Sequence, residues 1–142
     1  MRHNKIISAA IALCVIAFFT MGSAPSASAS TRTPVTITAV FDFLTFPDVS
    51  GTFYTTGALT ISGAAFMHVD LNPFNGIRGH CVVTLSPSNG GTIIIDQQCQ
   101  FGSPTPKGRW EIVNGTGAYA NLNGNGSLTM PPDTEAMTGF IY

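Results

Sequence analysis

Along most of this chain, apolar and polar residues alternate with the period of two expected of strands that bury one face. In TPVTITAVFDFLTF, Val35, Ile37, Ala39, Phe41 and Phe43 share one face. Thr36, Thr38, Val40, Asp42 and Leu44 share the other. Pro47 and Asp48 end that segment, and GTFYTTGALTISG follows with Gly51, Gly57 and Gly63 as breaks. The apolar run AAFMHVDL then leads into a turn cluster, NPFNG. The clearest hairpin is GHCVVTL and TIIIDQQCQF around SPSNGG, where Asn89-Gly90 is a type I′ turn signal between β-branched runs. Folding about that dipeptide predicts Leu85 beside Ile94 or Ile95, and Cys81 beside Gln98 or Cys99. A one-residue bulge or a three-residue loop would set Cys81 opposite Cys99. RWEIV, GSLTM and AMTGFIY add strands around the loop GSPTPKG and the Pro131-Pro132 break. Almost nothing has a helical period. About eight or nine short strands, with a turn every 8 to 12 residues or so, predict an all-β sandwich or barrel.

The N-terminus follows a different pattern. A basic head, Met1 to Lys5, precedes a nearly unbroken apolar run from Ile6 to Met21 and then GSAPSASAS, with small residues at Ala27 and Ala29. These are the three regions of a secretory signal peptide, cleaved after Ala29. The apolar run is 16 residues, against the roughly 20 needed to span hydrocarbon. The expected organisation is a leader over 1–29, one barrel or sandwich domain over 30–142, and a secreted product. Cys14 leaves with the leader. Cys81 and Cys99 remain, and an oxidising space would join them. In the chain-entropy model the closed loop contributes about 3 kcal/mol. Zinc would need two further ligands, and the histidines do not cluster to supply them, so no metal site is expected.

Charge narrows the partners. Residues 30–142 carry Arg32, Arg78, Lys107 and Arg109 against Asp42, Asp48, Asp70, Asp96, Glu111, Asp133 and Glu135. There is no basic stripe for nucleic acid. There is no amphipathic or polybasic helix to hold a membrane surface once the leader is gone. The partners left in view are a small apolar ligand and further copies of the chain.

GTGAYANLNGNG, from Gly115 to Gly126, is the most unusual stretch. A phosphate cradle would open onto a helix and usually carry Lys, and neither follows. A calcium loop needs several carboxylates, and this stretch offers only asparagines. A structural corner fits each residue type. Gly115 and Gly117 permit positive φ. Thr116 can bond nearby backbone. Tyr119 and Leu122 can bury, with the Tyr hydroxyl seeking a backbone acceptor. Asn123-Gly124 and Asn125-Gly126 can turn or bulge the chain.

Trp110, Ile112, Val113, Gly115, Thr116, Gly117, Tyr119, Ala120, Leu122, Gly124 and Gly126 form the pattern W-x-I-V-x-G-T-G-x-Y-A-x-L-x-G-x-G. It resembles the signature of the allene oxide cyclase and dirigent barrel superfamily. Secreted bacterial members of that group look most similar. The resemblance implies a small, calycin-like, antiparallel eight-stranded barrel with a central cavity and no cofactor. In dirigent proteins a His-Asp pair lies on the first strand, inside the cavity. The corresponding residues here are Phe41 and Asp42, so the His is missing and Asp42 is the catalytic candidate.

Other polar residues suggest simpler roles. His68 and Asp70 share a strand face, either as an acid–base or metal-ligand pair or as a solvent-facing one. His80 reads as a surface residue. Arg109 and Glu111 would make an exposed pair of little energetic weight. No serine sits in a nucleophile elbow. Aromatic residues are abundant, and Phe41, Phe43, Phe66, Trp110 and Tyr119 are the candidate ligand contacts in a barrel interior. Three functions follow from these readings. The first is a secreted, disulfide-stapled barrel that binds a small apolar or aromatic molecule without catalysis. The second is a cofactor-free cyclase or dirigent-type enzyme using Asp42 within the cavity. The third is a structural or interaction protein of the cell surface.

Overall fold

A computed structural model describes residues 30–142. The leader assigned to 1–29 lies outside the described residues. Eight antiparallel strands follow in order: β1 Thr33–Asp42, β2 Asp48–Gly57, β3 Ser62–Leu71, β4 Arg78–Pro87, β5 Ile93–Gln100, β6 Lys107–Gly115, β7 Gly124–Thr129 and β8 Thr134–Ile141. Each pairs with the next, and β1 also pairs with β8, so the sheet closes into an up-and-down barrel. Of the two architectures expected, the barrel is the one formed. Closure removes the free strand edges that a sandwich would leave.

The alternation read from β1 holds. Val35, Ile37, Ala39 and Phe41 point inward and are buried. Phe43 leaves the pattern, because a short 3-10 turn, Phe43–Thr45, begins there. Inward residues from all eight strands fill the interior, with Trp110, Met67, Leu85, Ile93, Ile95, Leu128 and Met137 the largest fully buried apolar side chains. Trp110 lies over glycine. A Cβ on Gly139 would come within 2.8 Å of its ring. Its Nε1 donates to the carbonyls of Ser127 (3.1 Å) and Thr138 (3.2 Å). Gly124 and Gly126 belong to β7 rather than turning the chain, and a Cβ on Gly126 would collide with the Thr138 carbonyl of β8.

The β4–β5 hairpin is looser than a two-residue turn. Residues 88–92 connect the strands, Gly90 and Gly91 have φ of 95° and 81°, and Gly90 N donates to Pro87 O at 3.0 Å. Two successive left-handed glycines lengthen the turn and shift the register. Leu85 faces Ile93, Cys81 faces Gln97, and Cys99 faces Gly79. The cysteines are diagonal neighbours on the inward face, not opposite partners. In β5–β6 the pairing slips between Ile94 and Ile95, leaving Val113 as the extra residue of a bulge.

The part of the Gly115–Gly126 stretch between β6 and β7, residues 116–123, does form a corner. A second 3-10 turn, Gly117–Tyr119, lays Tyr119 across one end of the barrel. Gly117 has φ of 61°. Gly115 does not, and it is needed for another reason: a Cβ there would collide with the Tyr119 carbonyl. Thr116 ties the corner to the β4–β5 connection. Its Oγ1 accepts from Thr92 N at 2.9 Å and pairs with Thr92 Oγ1 at 2.8 Å. The Tyr119 hydroxyl donates to the Asn89 side chain at 2.9 Å, where a backbone acceptor was expected. This is the closed end. The opposite, open end is framed by the connections at 43–47, 72–77, 101–106 and 130–133.

Candidate functional site

Two features meet at the open end. The first is an apolar recess of about 320 Å³ in the barrel mouth. Met67 and Val69 of β3 form its inner wall. Phe43 and Phe46 line it from the β1–β2 connection, Phe101 and Pro106 from β5–β6, and Met130, Pro131, Pro132 and Asp133 from β7–β8. Apolar side chains also stand proud on this end. Leu44 is 91% exposed and Phe74 is 95% exposed, and Phe46 and Ile77 are about half exposed. Large apolar groups left in water on adjoining loops are an observation that needs explaining, whereas scattered single ones are not.

The second feature is a polar cluster inside the barrel. Gln97 and Glu135 are fully buried among hydrophobic neighbours. Gln97 Nε2 donates to Glu135 Oε1 and lies 3.3 Å from the Met137 sulfur. Cys99 Sγ lies 3.8 Å from Gln97 Oε1, and Cys81 Sγ lies 3.4 Å from Cys99 Sγ. Both cysteines are free thiols here. Glu135 Oε2 has no hydrogen-bond partner among the described residues. Burial pushes the Glu135 carboxyl up to about 7, partly offset by the Gln97 amide. The Cys99 thiol is pushed well above its ordinary range by its hydrogen bond to Cys81, by burial, and by the negative Glu135 and Asp96 nearby. A thiol held in that form is a poor nucleophile. The cluster can hold a proton, and it can close a disulfide if the thiols are oxidised.

The sequence candidates scatter. Asp42 does not enter the barrel interior, which packed side chains fill rather than leaving the central cavity expected. It is exposed on the outer face at the end of β1, where its carboxylate caps the 3-10 turn by accepting from Leu44 N at 3.0 Å. Strand alternation forces this, because the buried Phe41 beside it takes the inward position. The cavity-based role for Asp42 therefore lacks its geometry. Phe41 is inside the barrel, its ring 6.2 Å from that of Phe43 in an edge-to-face pair. Only Phe43 of the five aromatic candidates lines the recess. Phe66 is on the outer face and 43% exposed, because Ala65 and Met67 occupy the inward positions of β3. Trp110 is a core residue pinned to β7 and β8, and Tyr119 seals the far end.

His68 and Asp70 share the outer face, as expected, but His68 pairs with Asp48 (2.5 Å) rather than Asp70. His80 pairs with Asp96 (2.7 Å). Arg109 and Glu111 share that face as well, with no ion pair between them.

Sequence reasoning missed Gln97 and Glu135. The signal was present: alternation through IIIDQQCQ puts Gln97 on the face of Ile95 and Cys99, and Glu135 on that of Met137. No family model matches this chain, and no curated protein or solved structure matches it either.

Proposed function

We propose that the protein is a secreted barrel that binds one small apolar or aromatic molecule at its open mouth, without catalysis. The apolar recess carries this reading. It has walls from three connections and one strand, its lining is almost free of charge, and exposed hydrophobic residues surround its approach. Its modest size suits a compact ligand. The closed eight-stranded barrel is the architecture that the resemblance to the allene oxide cyclase and dirigent group implies, and membership of that group is part of the proposal. So is a Cys81–Cys99 disulfide formed on export, which the 3.4 Å approach of the two diagonal thiols supports.

Glu135 favours a second reading, a cofactor-free acid–base enzyme. It is the first inward residue of β8 beyond the Pro131–Asp133 lip, and it keeps a proton near neutral pH. In that reading Glu135 takes the place intended for Asp42.

Native mass spectrometry of protein purified from its own culture medium separates these readings, alongside titration with an apolar fluorescent dye. Binding predicts a mass excess that vanishes on denaturation, and dye uptake that Val69→Trp blocks by filling the recess. Retained ligand in a Glu135→Gln variant keeps the non-catalytic reading. A clean mass with no dye uptake by the native protein would defeat it and leave a structural role. The denatured mass also reads the disulfide, as the loss of a pair of hydrogens.

A further inference from the structure

The outer face of β4 to β7 near the open end forms a groove of about 870 Å³ that the mouth does not use. Strand register builds its floor. Arg78, Gln100, Lys107 and Thr129 follow one another across four strands, and His80, Gln98, Arg109 and Ser127 form the adjacent row. All eight side chains are exposed.

Charge sets this groove apart. Residues 30–142 contain four Lys and Arg against seven Asp and Glu, yet three of those four cations, Arg78, Lys107 and Arg109, line this one groove. The only carboxylate in the lining is that of Asp70. None of the three cations forms an ion pair with any described carboxylate. His80 is engaged by Asp96. Within residues 30–142, where carboxylates outnumber cations, three of the four cations are thus gathered in one groove, with no described carboxylate paired to them.

We propose that this groove binds an acidic oligosaccharide. Arg78 and Lys107 are two strands apart, about 10 Å at the usual strand spacing, and Gln100 stands between them. Cations separated by a neutral amide suit a ligand whose acid groups are separated by neutral, hydroxyl-bearing units. Gln98, Gln100, Ser127 and Thr129 offer both donors and acceptors for those hydroxyls. A densely charged polyphosphate would meet too few cations and the Asp70 carboxylate. A single-stranded nucleic acid would find no Phe, Tyr or Trp in the lining on which to stack its bases, and His80 is engaged by Asp96.

The test is calorimetric titration of the full mature chain with a defined hyaluronate oligosaccharide, in which carboxylates alternate with neutral sugars. Binding should weaken as salt is raised. Arg78→Gln, Lys107→Gln and Arg109→Gln should each weaken it by roughly two- to fivefold, the range of an exposed charge pair. Arg32→Gln makes the same change in net charge elsewhere on the surface, where Arg32 stacks 5.3 Å from the Tyr142 ring, and it should leave binding intact. All four positions are exposed, and an unchanged melting temperature confirms that each variant folds. No binding of the oligosaccharide overturns the proposal. So does equal binding of neutral dextran, tighter binding of linear polyphosphate, or an equal loss in Arg32→Gln.

Discussion

At the closed end of the barrel the connections turn on glycine and asparagine, and Tyr119 lies across the opening with its hydroxyl satisfied by Asn89. Thr55 is buried nearby and is satisfied too, its hydroxyl donating to Leu59 O at 2.7 Å and accepting from Ile61 N at 3.0 Å. At the open end the connections carry phenylalanine, leucine and proline, and several of these side chains face solvent around an apolar recess. One end satisfies its buried polar side chains from its own connections. The other leaves hydrophobic surface in water, which is unfavourable unless something covers it. The ligand site proposed above is at the end whose apolar rim is left in water.

The contrast is tested most severely at Tyr119. Tyr119→Ala should lower unfolding free energy by about 3 to 5 kcal/mol, as for other buried aromatics, measured by urea denaturation. Tyr119→Phe keeps the ring and should lower it by only about 1 kcal/mol, the value of a typical lost hydrogen bond. Equal effects would mean that the hydroxyl, not the ring, seals this end.

Glu135 probes the space between the ends. Its carboxyl holds a proton up to about 7 in the folded chain, against an ordinary 4.5. Between those values the native state binds more protons than the unfolded state, so stability falls as pH rises through that window. The contribution of this group is most favourable below about 4.5 and is lost above about 7. The full difference is on the order of 3 kcal/mol. Glu135→Gln should flatten this dependence and be the more stable protein at pH 8, as read from melting temperature across pH. An unchanged slope would show that Glu135 is already ionised in the fold.

The smallest effect on stability is expected at the rim. Phe46→Ala should change unfolding free energy by about 0.5 kcal/mol or less, as for other exposed positions, while weakening uptake of an apolar dye several-fold. A large loss of stability would mean that the rim is part of the core, and the contrast between the ends would fail.

Much of this architecture was legible as pattern. Alternation placed Val35, Ile37, Ala39 and Phe41 correctly on one face, and the corner at Gly115–Gly126 followed from its glycines and from Tyr119. The same rule, applied to Asp42, Phe66, Gln97 and Glu135, would have placed each of them correctly. Resemblance draws Asp42 inward and aromatic character draws Phe66, while Gln97 and Glu135 escape notice because polar residues are expected to face water. The hairpin register was harder, because it depends on how two glycines with positive φ divide a loop.

By itself, then, the sequence determined the all-β class, the short strands, the inward set and the corner, since each depends on local residue type and a period of two. The tertiary structure decided what required distant strands to meet. Closure of β1 on β8, the pairing of Gln97 with Glu135, the mouth recess and the gathering of Arg78, Lys107 and Arg109 all depend on register and barrel curvature. Those are set by the summed packing of all eight strands, and no single segment encodes them.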